Sequence, residues 1–315
     1  MADRKKKSAK GPISWGLVVL GFVLGVAVLI LVVEFGPYFK PALPRQAEIP
    51  LEKPPEEQKP EVPVEGKEEK PVPQPSYPMV AIVIDDMGQD LKKLKELFQL
   101  NAPITIAVLP YLSHSADEAR EAHARGMEVL LHLPMEPQDA AYNNPGKGVL
   151  LTAMSEKEVR TQVENDLASV PFAAGVNNHM GSKFTESEPQ MRVVLDEVKK
   201  REMYFLDSRT TPKSVGGRLA RELGMSTADR NVFLDNTRDK AYIKDRINEA
   251  VNIARKNGAA VAIGHPYPET IEALRESVPV LQASGVRIVK LSELIEYNKK
   301  REEAKARVSV GGLTK

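Results

Sequence analysis

The sequence predicts an α/β protein, a parallel (β/α) barrel of seven to eight units, preceded by one transmembrane helix. Three observations lead to this prediction. From residue 79 onward, short runs rich in β-branched residues alternate with amphipathic stretches. The short runs are almost continuously apolar, which is typical of parallel strands that are buried on both faces. Near the N-terminus, residues 13–33 form an uncharged run that is long enough to cross a bilayer.

Residues 13–33 would form a helix roughly 31 Å long, which matches the hydrocarbon core of a membrane. The alternatives are a cleavable signal peptide and a buried core helix. The length of the run and the lack of a small-residue cleavage site after it favour an uncleaved anchor. Five basic residues precede the run, so residues 1–12 are predicted to be a cytoplasmic basic segment. The remainder of this single-pass membrane protein is then predicted to lie in the periplasm or outside the cell.

Residues 37–78 contain 12 prolines and 14 charged side chains. Such a segment cannot bury enough apolar surface to fold, so we predict a disordered Pro/Glu/Lys-rich linker. A proline-rich docking motif for a partner is the alternative to a simple spacer. The composition changes after residue 78, and we place the barrel domain at residues 79–300 and a C-terminal tail at residues 301–315.

Within the barrel domain, each apolar run is followed by a stretch whose apolar residues recur with the period of a helix. Seven or eight of these strand–helix units favour a barrel over an open sheet. Four glycines follow helical stretches and precede strands, where a left-handed residue is expected: Gly126, Gly224, Gly258 and Gly285. The predicted strands cover residues 79–84, 104–109, 128–133, 173–178, 203–208, 231–236, 259–265 and 286–291.

Composition excludes several kinds of site. The chain has no cysteine, which rules out a disulfide scaffold, a thiolate metal site and a cysteine nucleophile. Its net charge is +1, and residues 79–315 carry equal numbers of acidic and basic residues. This balance argues against nucleic acid as a partner.

The residues that end the predicted strands carry the chemistry. In a parallel barrel the carboxyl ends of the strands share one rim, and catalytic groups gather there. Each residue alone has an ordinary explanation as a turn residue, a helix cap or a buried histidine. Together they favour a metal site, because one Asp and two His leave an open position for water or a substrate oxygen. The strand ends are Asp85-Asp86, His132, Asn177-Asn178-His179, Asp207-Ser208, Asp235-Asn236 and Gly264-His265.

Six segments together resemble the divergent polysaccharide deacetylase family, a branch of the NodB-like carbohydrate esterases. They are VAIVIDDMG, ITIAVLPY, GMEVLLHLPMEP, GVNNHMGSKFT, YFLDSRTT and AIGHP, and the likeness covers about residues 79–297. The resemblance implies a distorted (β/α) barrel that binds one divalent metal, for which we expect zinc. It also implies a carbohydrate polymer as the substrate.

The resemblance also implies roles for single residues. Asp85 corresponds to the catalytic base, Asp86 to a metal ligand and His265 to the catalytic acid. The usual His-x-x-x-His pair is absent, so His132 and His179, on adjacent predicted strands, are the expected remaining metal ligands. The usual arginine of the third motif is also missing at its place, and Arg209 is the candidate to replace it.

Two asparagines complete the candidate site. Asn177 and Asn178 are expected to bind sugar hydroxyls or to support the metal ligands.

The expected function is metal-dependent hydrolysis of N-acetyl groups on an extracytoplasmic polysaccharide, such as peptidoglycan or a related amino-sugar polymer. A non-catalytic metal- or glycan-binding envelope protein on the same fold is the main alternative. A metal-dependent phosphohydrolase is a weaker one, because it needs basic residues at the rim and only Lys183, Arg209 and Lys290 are expected near it.

Overall fold

A computed structural model describes residues 77–311, and in the last helix it describes side chains up to residue 304. The predicted cytoplasmic segment, the membrane anchor at residues 13–33 and all but the last two residues of the linker lie outside the described residues. Within residues 77–311, every helix is too short or too polar to cross a bilayer.

The described part of the chain contains one sheet in which all paired strands are parallel. The strand order is β6-β5-β4-β3-β2-β1-β8-β7, and β9 pairs with the first half of β1. The prediction of a parallel α/β fold is therefore confirmed. The strands are β1 (Met79–Met87), β2 (Thr105–Val108), β3 (Glu128–Met135), β4 (Ala173–Met180), β5 (Tyr204–Asp207), β6 (Thr227–Asp229), β7 (Val232–Phe233), β8 (Ala259–Gly264) and β9 (Arg287–Val289).

Helices separate most of these strands, and several begin at caps that the sequence encodes. Asp90 accepts a hydrogen bond from the backbone of Lys92, and Ser155 and Glu158 form a reciprocal capping box. The predicted glycines at helix ends all have positive φ angles, between 68° and 88°. The helices are α1 (Leu91–Phe98), α2 (Ser115–Ala124), α3 (Glu156–Ser169), α4 (Glu188–Lys200), α5 (Gly216–Glu222), α6 (Lys240–Asn257), α7 (Pro268–Ala283) and α8 (Leu291–Gly311).

Alternate residues of each strand face two different cores, as the two-residue period of a strand requires. In β1, Val80 and Ile82 pack in the large cluster that includes residues of the surrounding helices. Ala81 and Val83 belong to a smaller cluster in the barrel interior. Leu294, near the start of α8, joins this interior cluster and helps to close the barrel at the amino ends of the strands.

Helix α8 is fixed to the amino ends of β2 and β3 by buried polar groups. The Glu128 carboxylate accepts hydrogen bonds from the Thr105 hydroxyl (3.1 Å) and from the backbone of Ser292 (3.2 Å). An anionic group at the first turn of a helix satisfies free N–H groups there. The helix runs on to Gly311, so the domain boundary predicted at residue 300 falls inside it.

Strands β6 and β7 are one run of chain that pairs with both ends of the sheet. The Arg230 N–H donates to the carbonyl of Asp207 in β5 (3.0 Å), and the next N–H, of Asn231, donates to Val261 in β8 (2.9 Å). This arrangement fits a distorted (β/α) barrel, because two short strands, β6 and β7, take the place of the single strand that would join β5 to β8. The sequence predicted only the second half and missed β6, since a three-residue strand shows too little periodicity.

Candidate metal centre and active site

The paired acids at the end of β1 point to the same place because the strand is irregular there. Successive side chains of a regular strand point to opposite faces. Between Ile84 and Met87 the pairing register with β2 shifts, and Asp86 has a φ of 57°. As a result both carboxylates reach one histidine: the Nε2 atom of His132 lies 3.6 Å from Asp85 Oδ2 and 3.2 Å from Asp86 Oδ1.

Asn177 links the neighbouring strand to this group. It pairs with His132 in the register of β3 and β4. Its Nδ2 donates to Asp85 Oδ1 (2.9 Å), so its Oδ1 is the acceptor that faces His132 Nδ1, also at 2.9 Å. The Nδ1 atom of His132 therefore carries the proton, and Nε2 keeps its lone pair for a metal ion.

Three ligand atoms form a nearly equilateral triangle at the rim. Asp86 Oδ1 lies 3.2 Å from His132 Nε2 and 3.0 Å from His179 Nδ1, and the two nitrogens lie 3.1 Å apart. Among the described residues, these three side chains form a group whose ligand atoms lie close enough together to hold one metal ion. Ligand atoms on a tetrahedral zinc ion, at bond lengths of about 2.0 to 2.2 Å, lie about 3.3 to 3.6 Å apart, so the triangle needs to widen by only a few tenths of an ångström to hold one.

A second observation supports a cation at this triangle. Asp86 Oδ1 is buried, and although two imidazole nitrogens lie within 3.2 Å of it, neither makes a hydrogen bond of acceptable geometry with it. An unpaired anionic oxygen in the interior is unfavourable unless a cation compensates it. One carboxylate oxygen and two imidazole nitrogens are also ligands that zinc accepts, so the residues fit a divalent metal.

The two adjacent acids have different electrostatic environments. Burial raises the pKa of Asp85 above its ordinary value, although the nearby histidines act in the opposite direction. Burial alone would also raise the pKa of Asp86, but the contacts with His132 and His179 outweigh it and hold this pKa well below the usual range. Of the two acids, Asp86 is therefore the one that stays anionic, as a metal ligand must.

His265 enters the site from the end of β8. Its Nε2 lies 3.7 Å from Asp86 Oδ2, and its Nδ1 lies 2.9 Å from Oδ1 of Asp235. The Thr270 hydroxyl and the His265 backbone N–H both donate to the other Asp235 oxygen. Burial alone would lower the pKa of His265, but the hydrogen bond to Asp235 and the charge of Asp86 raise it to about 9.

Comparison with known proteins identifies the family. The profile of the divergent polysaccharide deacetylase family matches residues 82–295. The chain belongs to this family. It is 37% identical over 216 residues to the uncharacterized protein YibQ of Escherichia coli (strain K12), a match that covers 69% of this chain and 67% of that protein. It is 37% identical over 196 residues to an uncharacterized protein of Haemophilus influenzae, covering 62% of this chain and 69% of the relative.

A crystal structure of this fold is also similar. The uncharacterized protein ATU2773 from Agrobacterium tumefaciens C58 superimposes with a TM-score of 0.67 at 25% sequence identity. The match covers 71% of this chain and 92% of that one. The candidate residues from Asp85 to His265 all lie inside the part of this chain that the family profile matches.

The two predicted asparagines lie beneath the rim rather than on it. Asn177 is completely buried, and its amide is used by His132, Asp85 and Ser208. Asn178 donates to the carbonyl of Met180 (2.8 Å) and accepts from the backbone of Ser208 (2.9 Å). Of the two roles expected for them, these contacts fit support of the ligands and not direct binding of sugar hydroxyls.

The predicted basic residues of the rim are placed differently from one another. Lys183 is paired with Glu136 at 2.6 Å, and Arg209 is half-exposed near the end of β5. Lys290 does not lie at this rim, because it directly precedes Leu291, whose N–H bonds to Thr105 at the amino end of β2. The expectation that Lys290 lies near the rim is therefore wrong, because β9 ends beside the first half of β1.

Sequence reasoning missed the roles of two residues. Asp235 was recognised as a strand end, but its partner His265 follows a different strand, and only the pairing of β7 with β8 brings them together. Arg230 lies in the two-residue connection between β6 and β7, where no periodic pattern exists. The sequence did contain one signal for Asp235, since an acidic residue directly after an apolar strand needs a partner in the fold.

Proposed function

We propose that this protein hydrolyses N-acetyl groups on an extracytoplasmic amino-sugar polymer, such as peptidoglycan, with the help of one divalent metal. The observation that carries the proposal is the triangle of Asp86, His132 and His179, which contains a buried unpaired oxygen and stands between Asp85 and His265. Membership of the divergent polysaccharide deacetylase family supports the substrate class.

Asp86, His132 and His179 would hold the metal, and their nitrogen and oxygen donors suit zinc. When bound, such a cation polarises the acetamide carbonyl and makes water more acidic. Asn177 contributes by fixing the ring of His132, so that Nε2 faces the shared point of the triangle.

Asp85 is the residue positioned to take a proton from the attacking water. One of its oxygens is held by Asn177, and the other lies 3.6 Å from His132 Nε2, on the side of the ligands. A base in this place removes the proton as the water oxygen attacks the acetamide carbon. Its carboxylate need not hold the metal to do so.

His265 is the residue positioned to protonate the leaving nitrogen. Its Nδ1 side is occupied by Asp235, so Nε2 is the atom that faces the site. Cleavage of the C–N bond then gives acetate and the free amine of the sugar, and the proton from Nε2 neutralises the departing nitrogen. The charge of Asp235 stabilises the protonated ring before the transfer.

The location in the cell is proposed from sequence. Residues 13–33 would anchor the chain in the membrane, and residues 37–78 would act as a tether that presents the barrel to a polymer outside the cytoplasm. A tether fits a substrate that is fixed in the envelope and does not diffuse.

The test measures acetate release from N-acetylglucosamine oligomers and from peptidoglycan. Full-length protein in detergent is compared after metal loading, after chelation and after metal is restored. We expect release only with metal, and its loss in the Asp85→Asn variant without loss of bound metal. Bound metal with no acetate from either polymer would contradict the proposal and favour a non-catalytic binding protein.

A further inference from the structure

Arg230 is held rigidly beside the candidate active site. Its Nε donates to the carbonyl of Ser208 (2.6 Å), and its Nη2 donates to the carbonyl of Arg209 (2.8 Å). The guanidinium also lies over the ring of Phe233, 5.0 Å from its centroid, and that ring contacts the imidazole of His265 at 5.3 Å. Arg230 is thus one aromatic ring away from the proposed catalytic acid. Its hydrogen bonds use Nε and Nη2, and no described residue accepts one from Nη1.

Arg209 adds a second cation at the same place. Its backbone is fixed in the left-handed region with a φ of 51°, and its N–H donates to Asp207 Oδ1 at 2.8 Å. Among the side chains of residues 77–304, no carboxylate forms an ion pair with the guanidinium of Arg209 or of Arg230. Burial lowers the pKa of Arg230, the charges of Asp85 and Asp207 act in the opposite direction, and the charge of Arg209 lowers it further. The hydrogen bond from Arg230 Nη2 to the carbonyl of Arg209 places the two residues side by side.

The carboxylates nearby are already occupied. Asp207 accepts from the Ser214 hydroxyl (2.7 Å) and from the backbone of Gly217 (3.0 Å), besides the N–H of Arg209. Asp85 lies beyond ion-pair distance of Arg230 and is bound by Asn177. Asp85 and Asp207 therefore compensate the charge of Arg230 from a distance, but among the described side chains no carboxylate forms an ion pair with either arginine.

Other cations of the same rim behave differently. Lys183 pairs with Glu136 at 2.6 Å, and Arg238 pairs with Glu269 at 3.4 Å. Arg209 and Arg230 are neighbours in the fold through the contact of Arg230 with the Arg209 carbonyl, and a carboxylate is a group that guanidinium donors bind well. The missing partner is then a group that the substrate brings.

We propose that Arg209 and Arg230 form a subsite for a carboxylate of the glycan, so that the preferred substrate is an acidic amino-sugar polymer and not a neutral one. The inference rests on the proposed function, since it assigns the substrate class of the same site. The carboxylate belongs either to a lactyl ether on the reacting sugar or to a neighbouring uronic acid. Both present the same planar anion next to an acetamido group.

The test compares oligosaccharides of equal length that differ in charge. One set contains N-acetylglucosamine only, one alternates it with N-acetylmuramic acid, one alternates it with a uronic acid, and the methyl esters of both acidic sets serve as neutral controls. Binding is measured by calorimetry on the full-length, metal-loaded protein in detergent, and acetate release is measured on the same samples. Arg209→Gln is the main variant, because Arg209 is half-exposed and its guanidinium has no ion-pair partner among the described side chains.

We expect the wild-type protein to bind one acidic set roughly tenfold or more tightly than its ester, since charge-assisted hydrogen bonds are worth about 1.5 to 3 kcal/mol. The preference should weaken as salt is raised and should fall in Arg209→Gln and Arg230→Gln. In both variants, affinity for the acidic set should fall more than affinity for its methyl ester, so that the ratio of the two affinities approaches one. Arg255→Gln, which removes an exposed charge in the last turn of α6, is the matched control and should behave as wild type.

Equal affinity of the wild-type protein for the acidic oligomers and their esters would overturn the inference. An equal effect of Arg255→Gln and Arg209→Gln would do the same. The proposed function is judged separately: acetate released equally from all oligomers would leave the deacetylase standing without the subsite. A carboxylate preference that depends on the arginines but comes without acetate would leave the subsite standing on a binding protein.

Discussion

Asp235 holds His265 at two points. Its Oδ1 lies 2.9 Å from the ring atom Nδ1, and its Oδ2 accepts the backbone N–H of the same residue at 2.6 Å. One carboxylate thus fixes both the position of the backbone and the orientation of the ring. The opposite ring atom, Nε2, is left to face Asp86, which is why the pair is placed at the centre of the proposed proton transfer.

The first prediction concerns this pair. Asp235→Asn should lower the pKa of His265 from about 9 toward its ordinary value, because the amide carries no charge to stabilise the imidazolium. A raised histidine pKa adds stability that is complete below pH 6.5 and is lost between pH 6.5 and 9, so the variant should lose stability at pH 6 and little at pH 9.5. NMR titration of the metal-free protein and denaturant unfolding at both pH values measure these effects.

Thr270→Val is the control for this change, since it removes one hydrogen bond to Asp235 and keeps the carboxylate. Its His265 should still titrate near pH 9. If Asp235→Asn leaves the titration of His265 unchanged, the carboxylate does not set the protonation of the ring.

The second prediction separates the two acids of β1. Asp86→Asn, His132→Ala and His179→Ala should each lower the bound metal, because each removes one of three ligands. Asp85→Asn should keep the metal and lose roughly 10² to 10⁴ in rate, as expected for removal of a general base. Elemental analysis of the purified variants and acetate release give the two readouts, and equal metal content in all four variants would reject the triangle.

The third prediction concerns Asp166, a buried acid of α3 that lies outside the proposed site. Burial raises its pKa to about 7, and one of its oxygens has no hydrogen-bond partner. The unfolded chain ionises near pH 3.8 while the folded one stays protonated, so stability falls as pH rises from about 4 to 7, by up to about 4 kcal/mol. Asp166→Asn should therefore be more stable than wild type at pH 8 and similar to it at pH 4.

Denaturant unfolding at the two pH values measures this difference. Asp117→Asn, at an exposed position of α2, is the control and should change stability little at either pH. The difference in unfolding free energy between wild type and Asp166→Asn could instead be the same at pH 8 and at pH 4. That result would show that Asp166 ionises in the folded protein without a loss of stability.

The fourth prediction concerns the loop that follows the ligand His179. Gly181 has a φ of 85°, and an added Cβ would lie 2.8 Å from the Cβ of Met135. Gly181→Ala should destabilise the protein by about 1 to 3 kcal/mol and lower its metal content, because the strained loop carries His179 with it. Gly285→Ala has a similar φ of 78° with open space around it, so it should lose only about 1 kcal/mol and keep its metal.

Thermal unfolding and elemental analysis compare these two glycine variants. The difference between them isolates the steric contact with Met135 from the backbone conformation that both positions share. Equal losses in both would assign the whole effect to the backbone.

The fifth prediction concerns topology and follows from the uncharged run at residues 13–33. A reporter enzyme fused after residue 78 should be active only if it requires an environment outside the cytoplasm. N-terminal sequencing of the mature protein should find residue 1 or 2, and not a residue after Phe35. A cytoplasmic reporter signal would contradict the predicted orientation.

Most of the sheet could be predicted from sequence because parallel strands are apolar on both faces and stand out from the helices between them. The position of the site could also be predicted, since polar side chains end these apolar runs. The common orientation of Asp85 and Asp86 could not, because alternation along a strand predicts opposite faces and only the irregular pairing near Met87 reverses this. Nor could Arg230, whose place depends on how a two-residue connection joins β6 to β7.

The three ligand atoms of the triangle belong to three different strands, β1, β3 and β4, and His132 and His179 alone are separated by 47 residues. No short stretch of the unfolded chain therefore contains a motif that can capture an ion. A cation at this position would be acquired only after the strands have assembled, and its binding free energy would add to that of folding. The supply of metal in the compartment where the chain folds would then set how much stability the barrel gains beyond that of its metal-free form.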